Sequence, residues 1–160
     1  MSMKLTELND IFTMDAGAPQ QLLISNERDT TLMFLLDMDA YTNDEGFDDE
    51  EDKLVGSLKF AGCIKISSGV PSNETLEGHP YFSAGLNSYR LYEVANSDLV
   101  QQLMAIQSIH PCYDATKWFN YKHFIINFHD SAFECVATKY CFKRTSEELY
   151  YDLVNAPSRD

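Results

Sequence analysis

Lys122-His123-Phe124-Ile125-Ile126-Asn127-Phe128-His129-Asp130-Ser131-Ala132-Phe133-Glu134-Cys135-Val136-Ala137 is the stretch on which the fold class turns. Aliphatic and aromatic side chains run along both sides of a short polar break. Lys122–His129 and Ala132–Phe142 therefore predict two antiparallel strands joined near Asp130-Ser131. A turn on those two residues sets Phe128 opposite Phe133, Ile126 opposite Cys135 and Phe124 opposite Ala137 on one face. The other face then carries His123 opposite Thr138, Ile125 opposite Val136 and Asn127 opposite Glu134, with His129 at its end.

Working outward, Gln20–Asn26 and Thr31–Met38 predict further strands, with Glu27 to Thr30 as the turn between them. Thr31–Met38 has apolar residues on both faces (Leu32, Phe34, Leu36 and Met38 against Met33 and Leu35), the mark of a strand covered on two sides. Leu58 to Ile66 reads as a half-exposed strand with Gly62 as a bulge, and Ser88–Val94 as another strand. Ser67 to Gly85, rich in glycine and proline, is irregular. Asn96 or Ser97 caps a helix whose stripe is Leu99, Val100, Leu103 and Ile106, closed before Pro111. A capping box, Thr145-Ser146-Glu147-Glu148, opens a terminal helix with Leu149, Tyr150, Leu153 and Val154 facing inward. Leu5, Leu8, Ile11 and Phe12 fall at helical spacing near the start. Strands outnumber helices and mostly lack crossovers. The expected fold is α+β, an antiparallel sheet of five to six strands with two or three helices packed on it, in one domain over residues 1–160.

Charge is the unusual quantity. The 160 residues carry 25 acids against 12 bases, a net charge of −13. Residues 1–52 hold 14 acids and two bases, while residues 53–160 hold 11 acids and 10 bases. Nine acids fall between Asp37 and Asp52: Asp37, Asp39, Asp44, Glu45, Asp48, Asp49, Glu50, Glu51 and Asp52. So negative a surface excludes direct grip on bare nucleic acid or an anionic membrane. The run predicts a solvated acidic loop over about residues 39–53. It is not a calcium loop of the EF-hand type. With Gly46 at the sixth position, Tyr41 stands where a carboxylate must be first, and Asp52 where a bidentate glutamate must be twelfth. The start has no apolar signal core, and no apolar run is long enough to span a bilayer, so the expected location is the cytoplasm.

Enzyme signatures for nucleotide binding, nucleophile elbows and zinc proteases are missing from the sequence. Cys63, Cys112, Cys135 and Cys141 are scattered and expected to be reduced, structural thiols. The hairpin holds the one concentrated set of acid–base groups, His123, His129, Asp130 and Glu134. Six residues along one strand separate the two histidines by about 20 Å, too far to share a metal ion. No metal or cofactor is expected, and the histidines are expected to be structural.

Tyr121 to Cys135, together with Tyr89-Arg90-Leu91-Tyr92-Glu93-Val94, resembles small bacterial immunity-type proteins encoded beside secreted toxins. The resemblance spans residues 86–142 and omits the acidic run. It implies a protective, protein-binding role and assigns no residue a function. The expected function is thus a non-enzymatic inhibitor of a basic partner, a toxin or nuclease. Asp37, Asp39, Tyr41, Asp44, Glu45, Phe47, Asp48, Asp49, Glu50, Glu51 and Asp52 would form the contact surface. The rivals are a nucleic-acid mimic that blocks a DNA-binding protein, and a small metal-dependent hydrolase built on His123, His129 and Glu134.

Overall fold

A computed structural model describes residues 1–41 and 53–156. Nine strands run in the order β1 (Lys4–Glu7), β2 (Leu22–Ser25), β3 (Thr30–Leu35), β4 (Val55–Ala61), β5 (Lys65–Gly69), β6 (Leu91–Ala95), β7 (Lys122–Asn127), β8 (Ala132–Ala137) and β9 (Lys139–Thr145). Two α-helices, α1 (Asp98–Gln107) and α2 (Glu147–Val154), and short 3₁₀ turns complete the described chain. The class is α+β. The strands are divided between two antiparallel sheets, β1-β6-β7-β8-β5 and β2-β3-β4-β9.

The sheets face one another across an aromatic core. Phe34 meets Phe128 at 5.5 Å between ring centroids, and Phe60 meets Phe124 at 5.3 Å and Phe133 at 5.7 Å. Leu32, Leu58, Leu91, Ile126 and Cys135 fill the space between them. The outer side of the four-stranded sheet (Met33, Leu35, Val55) is covered by Tyr150 of α2, whose hydroxyl donates to the Gln20 carbonyl. β3 is therefore buried on both faces, as its sequence requires. On the outer side of the five-stranded sheet, Tyr92, Val94 and Ile125 are covered by Leu76, Leu86 and Tyr81 from the 73–86 segment.

The expected single strand from Leu58 to Ile66 is broken at Gly62, where the chain leaves one sheet and enters the other. The expected strand from Ala132 to Phe142 is broken likewise at Thr138. β4 pairs with β9 in one sheet, and their continuations β5 and β8 pair in the other. At this shared corner the Thr138 amide and hydroxyl both donate to the Ala61 carbonyl, at 3.0 and 2.9 Å. Gly62 has φ of +61°, and a Cβ there would stand 2.8 Å from Thr138 Oγ1.

Other expectations are corrected. The first residues form an edge strand, with Lys4 to Glu7 opposite Ala95 to Tyr92, rather than a helix. The hairpin turns on His129 and Asp130, where the Phe128 amide donates to the Ser131 carbonyl at 2.7 Å. Every partner across the hairpin therefore shifts by two. Ile126 faces Phe133, Phe124 faces Cys135, His123 faces Val136 and Glu134 faces Ile125. A shift of two preserves the side of the sheet to which each residue points. Ser146, not Thr145, caps α2 by accepting from the Leu149 amide, and Leu149, Leu153 and Val154 are exposed, leaving Tyr150 as its one buried residue. In α1, Ile106 is likewise exposed.

Gly62→Ala combines an unfavourable φ with a clash at the corner. It is expected to cost roughly 1–3 kcal/mol in urea-induced unfolding, and Thr138→Ala in the same background is expected to recover part of that loss. A Gly62→Ala protein as stable as the parent would show that the corner tolerates a side chain.

Candidate functional site

Of the residues expected to form the contact surface, Asp37, Asp39 and Tyr41 are described, and they follow the end of β3. Asp37 Oδ1 accepts from the Asp39 amide at 3.0 Å and so caps the 3₁₀ turn Met38–Tyr41. The Thr13 amide donates to the Tyr41 hydroxyl at 2.9 Å, and the Arg144 guanidinium lies 5.7 Å from the Tyr41 ring centroid. Tyr41 also lines an open cleft of about 830 Å³, whose walls include Glu7, Asp10, Tyr89 and Arg90. Glu7 is paired with Arg90. Asp10 adds a negative charge to this cleft. Asp44, Glu45, Phe47, Asp48, Asp49, Glu50, Glu51 and Asp52 lie outside the described residues. Beyond them the Lys53 amide donates to Glu147 Oε2 at 2.9 Å, which ties the chain to the first turn of α2.

A second set of polar groups sits on the outer side of the five-stranded sheet. Ser97 caps α1, its Oγ accepting from the Val100 amide at 3.3 Å. The same oxygen is 2.7 Å from His123 Nδ1, and His123 Nε2 is 3.0 Å from Glu134 Oε2. Ser97 is 4% exposed and His123 0%. A buried hydroxyl must place its proton somewhere, and Nδ1 is the acceptor in reach. The order of donation is therefore Val100 N–H to Ser97, Ser97 O–H to Nδ1, and Nε2–H to Glu134. The imidazole presents its Nε2–H to the carboxylate. That bond, ahead of the opposing effect of burial, holds the Glu134 carboxyl below its usual range.

Two further rings complete the arrangement. Tyr81 stands edge-on to His123 with centroids 5.9 Å apart, and His79 lies 5.3 Å from Tyr81. His79 Nδ1 accepts from the Tyr81 amide at 3.0 Å, and burial lowers its pKa. Burial also raises the Tyr81 phenol.

The expected contact of Glu134 with Asn127, flanked by His123 and His129, is thus replaced. Glu134 bonds His123. Asn127 is fully buried and donates to Ser88 Oγ at 2.9 Å and the Phe128 carbonyl at 3.0 Å, while its Oδ1 has no partner among the described residues. His129 sits in the turn with Nδ1 2.9 Å from Asp130 Oδ1. Sequence reasoning identified Ser97 as a cap without its buried partner, and passed over His79 and Tyr81 inside an irregular segment. The one available signal was that a cap following directly on a buried strand must satisfy its hydroxyl indoors.

Elsewhere, Cys63 and Cys135 are buried free thiols in contact, and Cys112 and Cys141 are exposed. The Cys135 S–H bond lowers the Cys63 thiol to about 6. Burial raises that of Cys135. Among the described residues no group of three His, Cys, Asp or Glu side chains is placed to hold a metal ion. Nor, among them, is any helix long and apolar enough to cross a membrane.

His123→Ala removes a buried ring and strands both Ser97 and Glu134. It is expected to cost about 3 kcal/mol in urea unfolding. Glu134→Gln isolates the charge. Because the Glu134 carboxyl titrates lower in the folded chain than in the unfolded one, its stabilisation is complete above the ordinary glutamate value of 4.5 and is lost as pH falls through the lower folded value. The stability difference between parent and Glu134→Gln is expected to shrink from pH 7 to acid. A difference that does not change over this interval would disprove the linkage.

No protein-family model matches the chain, and no curated protein or solved structure matches it.

Proposed function

We propose that this chain is a non-catalytic, acidic binding protein that neutralises a basic protein partner, of the kind an immunity protein provides against a toxin or nuclease in the bacterial cytoplasm. The observation that carries the reading is the segregation of charge. Residues 1–52 hold 14 acids and two bases, whereas the rest of the chain is nearly balanced. A concentrated negative surface speeds encounter with lysine- and arginine-rich surfaces and repels polyanions. Asp10, Asp37 and Asp39 belong to that half. Asp10 and Tyr41 border the same 830 Å³ cleft. The proposed contact surface is Asp37, Asp39 and Tyr41 with the run from Asp44 to Asp52. Occupying a partner's cationic cleft inhibits it without chemistry.

The hydrolase reading has less support. Ser97 and His123 are sealed from solvent, and both bonding positions of the imidazole are taken. His129 does not join them.

The test begins with affinity capture from the native cell and purification of the captured protein. Association is then measured against ionic strength for the parent and for a variant with Asp48, Asp49 and Asp52 changed to Asn and Glu50 and Glu51 to Gln. The association rate of the variant is expected to fall by about tenfold or more at low salt, with little change in dissociation. Equal rates at low salt would remove the run from the interface. Competition by DNA for the same surface of the captured protein would favour the mimic instead.

A further inference from the structure

Tyr113, Trp118, Phe119 and Tyr121 are concentrated in the segment between α1 and β7. Aromatic side chains dominate cores and interfaces, yet this group enters no core. No residue of α1 and none of the 3₁₀ turn Ala115–Asn120 is buried, and Phe119 is 84% exposed. The cluster instead walls a cavity of about 430 Å³. Leu103 of α1, Ile64 just before β5, and Tyr113, Trp118 and Tyr121 supply its apolar surface. The Trp118 and Tyr121 rings are tilted at 45° with centroids 5.2 Å apart, and Ile64 is left 44% exposed.

Local bonds fix these walls. The Tyr113 amide donates to the His110 carbonyl at 2.9 Å, the Cys112 amide to His110 Nδ1 at 3.0 Å, and the Tyr121 amide to the Trp118 carbonyl at 3.1 Å. A largely apolar cavity of this volume with a few polar groups has the form of a small-molecule site. Walls already in place lower the ordering cost of binding.

The two charges of the lining differ in what they have left to offer. Asp114 Oδ1 caps the 3₁₀ turn, accepting from the Thr116 amide at 2.9 Å and the Thr116 hydroxyl at 2.6 Å. Lys117 also lines the cavity. Among the described residues it makes no ion pair, unlike Lys59, Arg90 and Lys122. The uncommitted charge is therefore positive. All the lining residues fall between 64 and 121, in the part of the chain where acids and bases nearly balance.

We propose that this cavity binds an aromatic monocarboxylate, with its ring against Trp118 and Tyr121 and its carboxylate on the Lys117 ammonium. A tilted ring pair offers a third ring edge-on and offset contacts. The ammonium is a point charge on a flexible stem and follows a carboxylate carried on a short arm. The cavity shares no residue with the acidic surface proposed for the basic partner, so the two readings stand or fall separately.

Trp118 is the single tryptophan of the chain, so tryptophan fluorescence reports on this site alone. Sodium phenylacetate is titrated into the full-length protein at constant ionic strength and pH 7. A saturable change in emission is expected, with NOEs from the ligand ring to the Trp118 indole. Neutral phenylacetamide and cationic phenethylammonium are expected to bind at least about threefold more weakly. Lys117→Gln is expected to lose about threefold or more in phenylacetate affinity, and with it the preference over phenylacetamide. Trp118→Leu, followed by ligand-observed saturation transfer, is expected to lose about fivefold or more. Neither side chain is buried, so neither change removes core packing. A response that grows linearly without saturation would overturn the proposal. So would a missing NOE, equal or tighter binding of the amide or the cation, or unchanged affinity in either variant. The comparison of the three ligands needs only the parent protein.

Discussion

Two strands that change sheets side by side determine the rest of this fold. At Gly62 and Thr138 the chain passes from one layer to the other, and the Thr138 amide and hydroxyl converge on the Ala61 carbonyl. Because β4 continues as β5 and β9 continues from β8, register in one sheet fixes register in the other. A slip of one residue would turn Phe60 and Phe133 away from the core and Glu134 into it. The corner therefore specifies which face of β8 meets solvent, and so where the only charge on that strand can act.

The outer face shows how a helix with little apolar grip is held. None of the side chains of α1 is fully buried. Its attachment to the sheet includes the hydrogen-bonded line from Val100 through Ser97 and His123 to Glu134. Buried polar groups of this kind are costly unless every donor and acceptor is used, and here each is. The line ends at a carboxylate that still reaches water. The inner members of the line fix α1, and the outermost one keeps a 31% exposed side chain. Asn127, on the same face, is fully buried and has an Oδ1 without a partner among the described residues.

What the sequence made legible is local alternation. The two-sided burial of Leu32 to Leu36, the inward faces of the hairpin and the cap at Ser97 all follow from period and capping chemistry, without knowledge of neighbours. The division into two sheets did not, because a strand that bends at a glycine keeps its alternation on both sides of the bend. The spacing of Leu5, Leu8, Ile11 and Phe12 suits a helix, yet the free edge of β6 offers Lys4 to Glu7 a ladder of hydrogen bonds that outweighs intrinsic preference. Leu153 and Ile106 fit helical stripes but find no facing layer among the described residues. The polar site was half visible. His123 and Glu134 were named together, but a turn placed one residue late moved their partners by two, and Ser97, Tyr81 and His79 come from segments whose approach only the tertiary fold reveals.

Charge in this protein works at two ranges, and salt separates them. The field of a run of carboxylates fades over about 8 Å at physiological ionic strength. Its proposed contribution is to the speed of encounter, and it is the first to weaken as salt rises. Glu134 differs in kind. It is held by the N–H of a buried ring, and a bond made at a partly buried group is screened less than one between exposed charges.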